Sequence, residues 1–161
     1  MYKLVLMVAM MVIWLSAHVL QVEEEMAMKT LFQSKRAVNR AAHAAAQQLD
    51  KEALGAGIAR IDEALAEDAA ELYLQRNLQL DENGVPLAGS FLRDPVEVLV
   101  FEVVNAEQSF PFYYRNDTYH YETVLQRPGV IMIAKVVHPR RFSLIEPIVW
   151  EIKGAAELVV G

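Results

Sequence analysis

From Leu4 to Val22 the chain reads LVLMVAMMVIWLSAHVLQV, and its only strongly polar side chains there are Ser16, His18 and Gln21. Glu23, Glu24 and Glu25 follow directly. No other feature restricts the fold as much. A helix that is apolar on all sides is stable only in lipid or among other helices. A bilayer core takes about 20 such residues, and this run is long enough. Lys3 before it and the glutamates after it predict an N-terminus on the cytoplasmic side and the remainder outside. A cleavable signal would need a shorter apolar core and a small-x-small cleavage site. The best candidate, Leu15-Ser16-Ala17, has leucine where a small side chain is wanted, so the segment is expected to be retained.

The helix is expected to run on. Neither proline nor glycine occurs between Met1 and Gly55. Downstream of the glutamates most residues are good helix formers. Leu31, Val38, Ala42, Ala45 and Leu49 fall on one apolar stripe, with Lys35, Asn39, Arg40, His43 and Gln47 on the polar side. One helix from Tyr2 to Ala53 would be about 75 Å long. Its lower half would pack on the chain's own domain, while its upper half must find lipid or other subunits.

Gly55 and Gly57 break this helix. Ile58, Ile61, Leu65, Ala69 and Leu72 predict a second amphipathic helix ending near Asn77, with an acidic outer face of Asp62, Glu63, Glu67, Asp68 and Glu71. Asp81 to Gly84 reads as a turn and lacks the ligand spacing of a calcium loop. Beyond residue 90 the period falls to two. Strands are expected at Val96–Val104, Thr118–Leu125, Val130–Val137 and Pro147–Val160. Arg127–Gly129 reads as a hairpin-type turn and His138–Pro147 as a longer loop. Such short connections predict an antiparallel sheet with one face under a helix and the other wet. The fold class is α+β: a long N-terminal helix, a second helix and an antiparallel sheet of about four strands.

Chemistry is harder to find. The chain of 161 residues has net charge −6, against the basic footprint of nucleic-acid binding. It has no cysteine, which excludes disulfides and thiolate chemistry. His18, His43, His120 and His138 lie far apart, and no pair has the helical spacing of a zinc site. No nucleophile elbow, phosphate loop or dinucleotide fingerprint occurs. Neither an enzyme nor a cofactor is expected. The aromatic stretch SFPFYYRNDTYHY, with Phe110, Phe112, Tyr113, Tyr114, Tyr119 and Tyr121, reads as sheet and core before it reads as a binding patch. Asn116-Asp117-Thr118 fits the N-glycosylation acceptor pattern.

An apolar upper half-helix, an amphipathic lower half and a following antiparallel sheet resemble the type IV pilin plan. The basic, alanine-rich stretch SKRAVNRAAHAAAQQLD, Ser34 to Asp50, is similar more narrowly to pilin-like proteins of tight-adherence (Tad) systems. Val5 stands where many mature pilins carry a glutamate. The resemblance implies a structural subunit of a bacterial extracellular filament on the cell surface, held in the cytoplasmic membrane before assembly. Residues 1–22 would be its transmembrane and filament-core helix, and residues 23–161 its extracytoplasmic domain. It implies partners too: further copies of the chain, the membrane and an assembly machinery. Small side chains permit close helix approach and methionines adaptable packing. Leu6, Ala9, Ile13, Trp14 and Ala17 are therefore the expected subunit contacts. Glu23, Glu24 and Glu25 are too far along the helix from Lys35, Arg36 and Arg40 to pair within one chain, and are expected to pair between staggered copies. The alternative is a single-pass anchor carrying an interaction or assembly-factor domain that does not polymerise.

Overall fold

The computed structural model describes residues 2–138 and 146–159. The expected loop at 138–147 lies mostly outside them, as does the last residue of the expected final strand. Three helices come first: α1 (Tyr2–Ala46), α2 (Lys51–Gly55) and α3 (Glu63–Leu78). Five strands follow: β1 (Glu97–Val104), β2 (Phe112–Asn116), β3 (Tyr121–Leu125), β4 (Gly129–His138) and β5 (Ile148–Glu157). The architecture is α+β, with a long N-terminal helix and a C-terminal antiparallel sheet.

The 45 residues of α1 span about 70 Å. The helix stops earlier than Ala53, because the next backbone groups have partners elsewhere. Gln48 O accepts from Asp62 N at 2.8 Å, and Asp50 N donates to Arg60 O at 3.0 Å. The Gln48 side chain donates to Ala44 O at 3.0 Å, filling a carbonyl that the helix leaves open. Asp50 then caps α2, its carboxylate accepting from Glu52 N and Ala53 N.

The second long helix also departs from expectation. It starts at Glu63, where Asp62 caps it by accepting from Leu65 N at 3.0 Å. It ends with Gln79 in the left-handed region and Leu80 N bonded back to Gln75 O, a Schellman closure. Its buried stripe is Ala66, Ala70, Leu74 and Leu78, while Leu65 and Leu72 are exposed. The partner face explains this choice. α1 presents Ala37, Ala41, Ala42, Ala45 and Ala46, all buried. Helix separation follows side-chain size at the contact, so alanines facing alanines bring the two axes close.

β4 is the central strand, paired antiparallel with β1 and β5. One face, Val130, Met132, Ala134 and Val136, joins the core under the helices. The opposite face is not left wet. Ile131 packs with Val104, Tyr114 and Leu125, beneath the separate β2–β3 hairpin. Both faces of β4 are therefore covered over much of its length, which is why its sequence runs apolar instead of alternating. Arg127–Gly129 is consequently a corner between two sheets and not a hairpin turn, since β3 pairs with β2 and β4 with β1 and β5. On β5, a Cβ at Gly154 would lie 3.1 Å from Val38 Cγ1 and 3.0 Å from Asn39 Oδ1. The glycine lets α1 rest directly on the sheet.

One buried polar side chain ties the layers together. Asn105 follows β1, accepts from Ile61 N at 2.8 Å and donates to Ile61 O at 3.0 Å. Both residues are buried, so neither backbone group has water as a substitute. Asn105→Ala is expected to cost about 1–3 kcal/mol, read as a lower denaturant midpoint for the full chain in detergent. An unchanged midpoint would show that the connection before α3 is held by other contacts.

Candidate assembly surface

The N-terminal half of α1 has no shelter within its own chain. Its apolar window has a mean hydropathy of 2.1 and is 0% buried. Leu6, Ile13 and Trp14 are each more than 60% exposed, and Ala9 and Ala17 are exposed as well. Two of the polar side chains inside the segment have local contacts. Ser16 Oγ donates to Val12 O at 2.8 Å, so the hydroxyl is bonded within its own helix. His18 stacks on Trp14 one turn before it, ring centroids 5.6 Å apart and planes parallel.

Below this segment Glu24 and Glu25 are exposed and Glu23 is half-buried. The first buried residue of α1 is Ala27, followed by Thr30 and Ser34. Thr30 Oγ1 donates to Met26 O at 3.0 Å. The Nδ1 of buried His138 lies 3.2 Å from the same hydroxyl. His138 also packs on the Trp150 ring at 5.8 Å.

The expected basic cluster divides. Arg36 and Arg40 line an open groove of about 950 Å³ that also receives Lys29 and Arg93. Arg40 Nη1 donates to Asn77 Oδ1 on α3 at 2.9 Å. Lys35 lies on another flank, beside Leu31, Trp150 and Lys153. Arg93 could not be found from helical spacing, because it comes from the loop before β1. Lys29 is legible from spacing, because with Arg36 and Arg40 it makes steps of seven and four on one helix face.

The aromatic stretch is mainly core. Tyr114 is buried, and Phe110, Phe112 and Tyr121 pack around it. Burial raises the Tyr121 phenol pKa. Tyr113 points outward and donates to Glu122 Oε2 at 2.6 Å, a bond to a carboxylate that raises its pKa. Asn116 closes the β2–β3 turn, its Oδ1 accepting from Tyr119 N at 3.2 Å and its Nδ2 donating to Tyr114 OH at 3.3 Å. Among the described residues no group of three or more histidines and carboxylates converges on one point as a metal site would.

A long helix, apolar and then amphipathic, joined to an antiparallel sheet is consistent with a pilin-like fold in general. Its bare apolar half is consistent with a membrane-anchoring segment. Comparison of the chain with protein-family models, with curated proteins and with solved structures finds no match.

Ile13 stands near the middle of the apolar segment. Ile13→Lys is expected to weaken membrane insertion by about 3–4 kcal/mol. Alkaline extraction of membranes should then release much of the variant and little of the parent. Equal retention of both would show that the segment does not span lipid.

Proposed function

We propose that the chain is a structural subunit of a bacterial pilus-like filament of the tight-adherence kind. It is held in the cytoplasmic membrane, N-terminus inside, until its apolar helix passes into a filament core on the cell surface. One observation carries this reading: a 0%-buried apolar half-helix continues without a break into a half that is seated in the domain. An anchor alone needs about 20 residues in lipid and is indifferent to a rigid continuation. A polymer benefits from it, because a stiff shared helix fixes where each domain sits once the upper halves pack together. Leu6, Ala9, Ile13, Trp14 and Ala17 are the contacts assigned to neighbouring helices, with the assembly machinery as a transient partner. The role is architectural, with no catalytic centre or cofactor.

Electron microscopy and immunoblotting of sheared surface material test it. Filaments containing the chain are expected. Retention of all the protein in the membrane fraction, with no filament, would favour the single-pass interaction domain. Within the polymer reading, Ala9→Leu and Ala17→Leu are expected to lower filament yield while leaving membrane insertion intact, since leucine is welcome in lipid. Normal yield from both variants would remove these positions from the helix contacts.

A further inference from the structure

The groove beside α1 concentrates one sign of charge. Lys29, Arg36 and Arg40 reach it from the helix and Arg93 from the loop before β1, and among the described residues no carboxylate lines it. The ion pairs among the described residues engage Arg60, Arg115, Arg127 and Lys135, and none of the four groove cations. Arg36 and Arg40 are also four apart on one helix, a like-charge spacing that is unfavourable by itself. A bound anion would relieve it.

The same helix carries the matching charge. Glu24 and Glu25 are exposed just above the groove. A straight helix cannot fold them back: Glu24 and Arg36 are twelve residues apart, about 18 Å along the axis. Lys29 lies one turn from Glu25 and forms no salt bridge with it. Contact of Glu24 or Glu25 with Arg36 or Arg40 therefore requires a second molecule. Parallel helices shifted by about ten residues, or about 15 Å, would bring it about. The same shift leaves about half of each apolar segment beside its neighbour.

We propose that the groove formed by Lys29, Arg36, Arg40 and Arg93 receives the Glu24 and Glu25 carboxylates of a second copy of the chain, and so sets the axial stagger between subunits. This rests on the polymer reading above and adds the register to it. Lys35, expected from sequence to share this role, is outside the groove. The pairing acts through specificity more than strength, since desolvating several charges offsets much of their attraction.

The test uses the full-length chain in its membrane and in sheared filaments. Because the protein has no cysteine, copies carrying Glu24→Cys and copies carrying Arg36→Cys can be tagged differently, coexpressed and oxidised. The mixed disulfide is expected to exceed either homodisulfide by at least about fivefold, the factor for about 1 kcal/mol of pairing. Arg93→Glu alters an exposed loop residue that is not part of the helix itself. It is expected to lower filament yield by at least about fivefold, Arg93→Gln by less, and Glu24→Lys in the same chain as Arg93→Glu should restore part of it. Normal filaments from Arg93→Glu without an excess of mixed disulfide would overturn the pairing and leave the polymer reading standing. The pairing would equally fall if Arg93→Glu abolished binding to anionic phospholipid vesicles while assembly stayed unchanged, for the groove would then serve lipid headgroups. Failure of the parent chain to assemble at all would overturn both.

Discussion

The seat of the lower half of α1 is the contact on which the other elements depend. Ala37, Ala41, Ala42, Ala45 and Ala46 are buried against α3 and the sheet, and Gly154 admits the helix to the surface of β5. Each alanine removes little apolar area from water, so burial alone is a modest drive here. What the small side chains supply is proximity, and with it dense van der Waals contact along several turns. α3 and the strands share this one support. A larger side chain on the face would move both layers at once, because a packed interior transmits strain instead of absorbing it.

The apolar segment and the lower helix were legible in the sequence. The spacing of Val38, Ala42 and Ala45 marked residues that are indeed buried. The inner face of α3 was not, for a physical reason. The spacing of Leu65, Ala69 and Leu72 suggested the core side, yet the stripe that packs on the alanine face of α1 is Ala66 and Ala70 with Leu74 and Leu78. Periodicity ranks positions by hydrophobicity; the partner surface selected them by size. The end of α1 was equally hidden, since backbone bonds from Gln48 and Asp50 to Asp62 and Arg60 are long-range facts. The aromatic stretch was legible as sheet and core, but β2 was not among the expected strands, although it pairs residue by residue with β3. The groove depends on Arg93, which only the fold brings to α1.

Charge and apolar surface divide the molecule between them. The surface ion pairs are solvent-exposed and contribute little to stability. The acidic outer face of α3 keeps the domain hydrated. Two features stand apart from this background: the bare half of α1 and the cationic groove below it, which α1 shares with α3 and the loop before β1.

The way α1 enters the domain also governs how it would carry force. The stem meets the domain along the flank of the helix, and the covalent link onward to α2 lies at the far end, past Ala46. A pull on the apolar half therefore runs parallel to the alanine interface. It loads the buried turns together, as a glued lap joint is loaded in shear, instead of peeling them apart singly. The connection at Gln47 to Asp50 is shielded until that whole contact slips. The domain is in this sense mounted to resist tension along the stem, and the interface that organises its core is also the one that would bear the strain.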